Sequence, residues 1–248
     1  MTPGATPQRF EIDWSQPWLL PMRARGEPIA NRAARGGLAD ALNASSHAAV
    51  CLAAGRVRFV EPAQQPAGEA YETFVARTAC VPTRDNLHDF FNGLVWLTHP
   101  AWKRRLNELQ AEQIALCRVS GTRGAVRDAL TLFDENAALL QAPQALVEAL
   151  NARDWHALFV TRRALWADAR ITLFGHALLE KLTRPRKAIT AHVWVLPESA
   201  DPASPHTLTP GRLAARPFLP LPVLGVPSWW PGNEDAAFYA DAAIFRRP

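Results

Sequence analysis

Apolar and polar residues recur along the chain with two different periods, and together they predict a mixture of helices and strands. Apolar residues spaced three and four apart indicate helices, whereas strict alternation indicates half-buried strands. The predicted helices cover residues 38–54, 86–97, 100–118, 143–150, 154–166 and 174–182; the predicted strands cover residues 57–60, 71–81, 129–133, 137–140, 171–173 and 188–196. The third and fourth strands are predicted to form a hairpin around Asp134-Glu135-Asn136, because these residues favour turns.

The two ends of the chain have a different composition from its middle. Residues 1–35 are rich in Pro, Arg and Gly, and we expect an extended arm held by Trp14 and Trp18. Residues 197–248 are rich in proline, which excludes a central strand or a long helix. They are also too apolar for a disordered tail, so we expect them to wrap over the core. The sequence therefore predicts a single α+β domain over 1–248, with several helices packed on a small, mostly antiparallel sheet.

Composition adds a few constraints on function. Nine tryptophans predict a rich core or an aromatic-lined cleft. A net charge of +4 is compatible with a small anionic ligand or a nucleic acid, although the basic residues are scattered rather than grouped. Cys51, Cys80 and Cys117 are widely spaced and form no CxxC pair, which favours free thiols and a cytoplasmic location. No signal peptide or membrane-spanning run is evident, so no membrane partner is predicted.

The helix predicted over 86–97 carries the first group of candidate site residues. His88 and Asn92 lie one turn apart on one face, flanked by Asp85, the expected N-cap, and Asp89. Most other positions of this helix are apolar, so the helix should be buried and its polar groups paired or open to a cleft. His88 is then a candidate general acid or base, or a metal ligand, oriented by a carboxylate. The alternative is a structural network that ties the start of the helix to a loop.

Three further residues of this segment are candidate substrate contacts. Arg84 precedes the helix, where the helix N-terminus also favours anions. Asn86 and Trp96 lie at the start of the helix and in its last turn.

The helix predicted over 174–182 carries the second group. His176 and Glu180 lie one turn apart, a spacing that suits a metal or a base with its orienting carboxylate. An ordinary surface pair has the same spacing. Asp134 and Glu135 are adjacent acids that fit either a divalent cation or a simple turn. The metal candidates are therefore His88, His176, Glu180 and Asp134.

Three stretches and their spacing resemble a bacterial family catalogued as domain of unknown function number three thousand and twenty-five. They are residues 82–92, 132–136 and 174–181, and residues 225–230 and 238–239 are also similar. The resemblance implies a one-domain bacterial protein and covers most of the chain from Trp14 onward, but it implies no reaction. Ala137 stands where this pattern leads us to expect glycine, which weakens the case for a tight turn there.

Three hypotheses about function follow. In the first, the protein is a hydrolase acting on a phosphoester or nucleotide by histidine acid–base catalysis, with a divalent metal as a candidate cofactor; His88, Asn92, His176 and Glu180 would then line one cavity. In the second, it is a non-catalytic module with an aromatic groove for a peptide or nucleic acid. In the third, the outer face of the helix over 102–118, with Lys103, Arg104 and Arg105, docks a protein partner.

Overall fold

The computed structural model describes residues 10–45, 50–120 and 124–246, with only the backbone for residues 117–120. The chain divides into two compact units, Met1–Thr122 and Arg123–Pro248. The fold is α+β with small sheets, as the sequence predicts, and the single domain over 1–248 stays a prediction. In the part of the chain that the structure describes, no helix has the length and hydropathy that a membrane crossing requires.

The first unit is mainly helical and has two short strand pairs. Strands β1 and β2 pair antiparallel, and strands β3 and β4 pair parallel. The helices are α1 (Leu20–Ala33), α2 (Leu38–Ala44), α3 (Tyr71–Thr78), α4 (Leu87–Thr98) and α5 (Pro100–Ser120), and the strands are β1 (Cys51–Leu52), β2 (Gly55–Arg56), β3 (Arg58–Val60) and β4 (Cys80–Pro82).

Helix α4 lies at the centre of this unit, as its nearly continuous apolar sequence predicts. Phe90, which is fully buried, contacts the rings of Phe10 and Trp14 at centroid distances of 5.4 and 6.3 Å. Gly93 allows α2 to approach, because an added Cβ there would lie 2.4 Å from a methyl carbon of Leu42. The packing around α4 therefore depends on a small residue as well as on large ones.

The predicted extended arm over residues 1–35 is wrong where the structure describes it, because residues 20–33 form α1. A proline at the start of α1 lacks the N–H that a first helical turn leaves without a partner, so it suits this position. Met22, Ile29 and Ala33 recur along one side and are buried. Trp14 and Trp18 are buried as predicted, but they pack beside a helix rather than hold an extended segment.

Two more predictions in this unit are wrong. The helix expected over 38–54 ends at Ala44, and the chain later forms β1 and β2; residues 46–49 lie outside the described residues. The strand expected over 71–81 is instead α3 followed by β4. Ala79, which ends α3 in the left-handed conformation (φ 54°), separates the two elements. Phe74 and Val75 are adjacent and both buried, a pattern that a helix against α5 satisfies and a half-buried strand does not.

Helix α5 confirms the helix predicted over 100–118, but not all of its predicted faces. Helical spacing predicts an apolar face of Trp102, Leu106, Leu109 and Leu116, and the first three of these residues are buried. Leu116 is instead 61% exposed. Lys103, which the sequence places on the outer face, is instead only 2% exposed. The docking surface proposed for this helix therefore lacks one of its three basic residues.

His99, at the end of α4, makes the stability of the protein pH-dependent. Burial, helped by the positive charge of Arg25, lowers the pKa of His99 from 6.5 to about 4. Between these values the unfolded chain binds a proton that the folded chain does not. The contribution of His99 to stability is therefore fully present above the pKa of the unfolded chain. It decreases as the pH drops toward the pKa of the folded chain, by about 2 kcal/mol from pH ~7.5 to pH ~5.

Chemical denaturation at a series of pH values measures this effect. A His99→Gln variant is expected to lose about 2 kcal/mol of the pH dependence, whatever its stability at neutral pH. His156→Gln, at an exposed position, is the control and should retain the wild-type slope. If the free energy of unfolding of His99→Gln depends on pH as strongly as that of the wild type, His99 is not the source of the pH dependence.

The second unit is built on a four-stranded sheet with the order β6-β5-β7-β8. Strands β5 and β7 are parallel and the two outer pairings are antiparallel, so the sheet is mostly antiparallel, as predicted. Its helices are α6 (Ala125–Asn136), α7 (Gln144–Asn151), α8 (His176–Lys181) and α9 (Pro210–Ala214), and its strands are β5 (Ala137–Gln141), β6 (Arg170–Leu173), β7 (Thr190–Val195) and β8 (Leu219–Pro222). A π-helix over Ala157–Thr161 and a 3-10 helix over Arg163–Asp168 occupy most of the helix predicted over 154–166.

The hairpin predicted around Asp134-Glu135-Asn136 is wrong. Residues 125–136 form helix α6, and β5 begins at once with Ala137. Ala129, Leu130 and Phe133 are buried at helical spacing, and Phe133 packs against Phe174 with ring centroids 5.2 Å apart. The acidic residues therefore lie in the last turn of a helix, not in a turn between two strands.

The proline-rich C-terminal segment is ordered and contributes to the core, as its apolar residues predict. Strand β8, with the sequence Leu-Pro-Leu-Pro, lies at the edge of the sheet, where missing N–H groups are tolerated. Beyond it, Asn233 is 1% exposed and donates to the carbonyls of Leu224 and Val226. Arg163 donates to the carbonyl and side-chain oxygens of Asn233. This network fixes the segment to the 3-10 helix that contains Arg163.

Candidate functional site

The start of α4 is fixed by Asn86, not by Asp85. The side-chain oxygen of Asn86 accepts a hydrogen bond from the backbone N–H of Asp89 at 2.7 Å, which makes Asn86 the N-cap. The carboxylate of Asp85 instead accepts from the N–H of Leu38 at 2.8 Å, at the start of α2. The predicted capping role of Asp85 is therefore wrong for α4, because the side chain bonds another helix.

Asp89 and Arg84 form a close ion pair. The guanidinium Nε and Nη2 of Arg84 donate to the two carboxylate oxygens of Asp89 at 3.0 and 3.1 Å, and the backbone N–H of Arg84 also donates to this carboxylate. Asp89 is 5% exposed, and its hydrogen bonds together with its charge raise the pKa of Arg84. The positive charge of Arg84 is thus largely offset by Asp89, and the proposed anion contact at Arg84 stays a prediction.

Asn92 belongs to a buried polar network in the first unit. It donates to the hydroxyl of Tyr71 at 3.0 Å and accepts from Nζ of Lys103 at 2.8 Å. The Lys103 ammonium lies 5.3 Å from the ring centroid of Trp96, within cation–π range. These contacts fit the structural alternative for Asn92. His88 is half-buried in the first turn of α4, and its acid–base role stays a prediction.

The second group of residues forms where the end of α6 meets the start of α8. The N–H groups of Phe174 and Gly175 both donate to the carbonyl of Ala137, at 3.0 and 2.9 Å. A Cβ at Gly175 would lie 2.5 Å from the backbone of Asn136 and from the carbonyl oxygen of Glu135. Glycine is therefore required here, and its close approach brings the next residue, His176, to the acidic end of α6.

His176 lies between two carboxylates. Its Nδ1 is 3.9 Å from Oδ1 of Asp134, and its Nε2 is 3.6 Å from Oε2 of Glu135. The imidazole is almost completely buried, with 4% exposure, whereas both acids retain some contact with solvent. The structure thus brings together Asp134, Glu135 and His176, which the sequence assigns to two separate groups.

The electrostatics of this cluster favour a cation. Asp134 and Glu135 lie in the last turn of α6, where the helix dipole already contributes negative charge and the turn has no basic residue of its own. A proton on Nδ1, beside Asp134, would leave the Nε2 lone pair facing Glu135 and available to a metal ion. The gap of 3.6 Å is long for a charge-assisted hydrogen bond. It is close to the ~3.4 Å that separates two ligand atoms bound tetrahedrally at about 2.1 Å from one metal ion.

Other polar residues surround the end of α6. Glu180 lies one turn beyond His176 and is half-buried, and its part in the site stays a prediction. Nζ of Lys181 donates to the side-chain oxygen of Asn136 at 2.9 Å. His192, on β7, pairs with Ala137 in the sheet register. Lys181 and His192 are not among the sequence candidates, because their position near Asn136 depends on long-range pairing.

The tryptophans lie mostly in the cores of the two units. Six of the nine are buried: Trp14, Trp18, Trp96, Trp102, Trp155 and Trp194. The other three, Trp166, Trp229 and Trp230, are half-buried. Most of the tryptophan surface is therefore used in packing, which leaves less of it for an aromatic groove.

The second unit is thus an α+β fold that carries a carboxylate–histidine–carboxylate cluster at a helix end. Residues 57–248 match the family model described as protein of unknown function (DUF3025), and the chain belongs to this family. The match confirms the family resemblance of the sequence. No curated protein and no solved structure matches the chain significantly.

Proposed function

We propose that the protein is a hydrolase that acts on an anionic phosphoester or nucleotide substrate with the help of a divalent metal ion. Glu135 and Nε2 of His176 bind the metal, and Asp134 orients the imidazole. The position of the buried His176 between two carboxylates is the observation that carries this proposal.

The donor set suits this chemistry. One imidazole nitrogen and carboxylate oxygens are ligands for zinc, manganese and related ions. A site with few protein ligands keeps positions for water, whose pKa the metal lowers, and for a substrate oxygen. The net charge of +4 and the metal together favour an anionic substrate. The general acid–base role that the sequence gives to His88 stays a prediction.

We further propose a cytoplasmic location. Cys51 and Cys80 are free thiols, and Cys80 is buried. Free cysteines are typical of reducing compartments. Cell fractionation with an antibody against the protein checks this, and recovery with secreted proteins would contradict it.

Metal titration tests the proposed centre. Calorimetry with Zn²⁺ and with Mn²⁺ is expected to show one site per chain in the purified, chelator-treated protein. Glu135→Gln removes the ligand charge with little change in shape, so it should weaken binding at least about tenfold.

Glu148→Gln is the matched control, because Glu148 is an exposed acid of the same unit that accepts a hydrogen bond from Gln144. It should leave the affinity unchanged. If the wild-type protein binds neither ion, or Glu135→Gln binds as the wild type does, the metal centre is excluded and His176 is an ion-paired structural residue.

A further inference from the structure

Lys181 places a positive charge next to the proposed metal centre. It is the last residue of α8, and its ammonium donates to Asn136, the residue that follows Glu135. The hydrogen bond to Asn136 uses one of its three donors. Among residues 10–45, 50–120 and 124–246, no carboxylate lies within ion-pair distance of Lys181. The exposed ammonium therefore keeps its net charge and two donors for another anion.

His192 lies on the neighbouring strand at the same end of the sheet. Its partner in the β5–β7 register is Ala137, the residue directly after Asn136. Burial lowers the pKa of His192, and the charge of Lys181 lowers it further. The half-buried imidazole is therefore neutral at pH 7 and offers one N–H donor without a charge of its own. The ring of Phe218 packs edge-on against it at a centroid distance of 6.3 Å.

We propose that Lys181 and His192 form a phosphate subsite beside Glu135 and His176, and that the substrate is a phosphomonoester. The placement of this subsite beside a metal centre that carries out the reaction rests on the proposed function. A phosphomonoester carries nearly two negative charges at pH 7, so it gains more than a diester from a lysine next to a metal. Lys181 supplies charge and His192 supplies a directed hydrogen bond, the two kinds of contact that phosphate oxygens accept.

Binding of inorganic phosphate to the metal-free protein tests the subsite separately from the metal centre. Calorimetry or ³¹P NMR is expected to detect one phosphate per chain. Lys181→Met should weaken this binding at least about tenfold, and Lys181→Arg should retain it within about threefold, because it keeps the charge. His192→Ala should weaken it by a smaller factor.

Lys187→Met is the control, since Lys187 is already paired with Asp241 at 3.0 Å in the same unit. It should bind phosphate like the wild type. Equal binding by Lys181→Met and the wild type, or no phosphate binding by the wild type at ~10 mM, overturns the subsite.

Glu135→Gln separates the two proposals. This variant is expected to bind phosphate in the absence of metal at least as tightly as the wild type, because it removes a nearby negative charge. Loss of metal binding with retained phosphate binding in this variant would support both sites, whereas phosphate binding by a wild-type protein that binds neither Zn²⁺ nor Mn²⁺ would exclude the metal centre alone. In the metal-loaded enzyme, Lys181→Met should raise KM for a monoester more than it lowers kcat, and equal KM values would contradict a role in binding.

Discussion

Substitution of His176 by glutamine is expected to lower the turnover of a phosphoester at least about 100-fold. Glutamine keeps a polar side chain between Asp134 and Glu135 but has no imidazole nitrogen to bind a metal. Asp134→Asn is expected to have a smaller effect, about 10- to 100-fold in metal affinity, since Asp134 acts through the imidazole. Initial rates with p-nitrophenyl phosphate and bis(p-nitrophenyl) phosphate test both predictions. Rates at saturating Zn²⁺ or Mn²⁺ give the turnover of His176→Gln, and their dependence on metal concentration gives the metal affinity of Asp134→Asn.

The control for this series is His206→Gln, because His206 is exposed and its ring forms a hydrogen bond with the hydroxyl of the nearby Ser204. It should keep wild-type turnover. Circular dichroism and denaturation curves show whether His176→Gln remains folded. A folded His176→Gln protein with wild-type turnover would disprove the role of His176, whatever its effect on stability.

Helix α4 could be predicted from the sequence because its signals are local. The Asn86 cap and the apolar residues that follow it define the helix without help from the rest of the chain. The sequence also shows that its polar residues must be paired once buried. The sequence does not show which residues these partners are, because Tyr71 and Lys103, the partners of Asn92, are 21 and 11 residues away.

The end of α6 could not be predicted in the same way. The run Asp134-Glu135-Asn136 lies between two apolar segments, and the same residues suit a hairpin turn or the last turn of a helix. Tertiary packing decides between them, since Ala129, Leu130 and Phe133 are buried together only at helical spacing. This difference moves the acids to the negative end of a helix dipole, where Gly175 brings His176 against them. The candidate residues were therefore visible in the sequence, but their association was not.

Asn233→Ala is expected to lower the free energy of unfolding by about 3 kcal/mol. The buried carbonyls of Leu224 and Val226 each lose a donor, and the guanidinium of Arg163 loses one of its side-chain acceptors. Asn151→Ala, at an exposed helix end of the same unit, is the control and should change stability by less than about 0.5 kcal/mol. Urea denaturation followed by tryptophan fluorescence measures both variants.

Arg163→Met should destabilise the protein through the same network, so the double variant with Asn233→Ala should lose less stability than the sum of the two single losses. Strict additivity, or a loss below about 1 kcal/mol for Asn233→Ala, would show that the proline-rich segment is held by its apolar contacts rather than by this network.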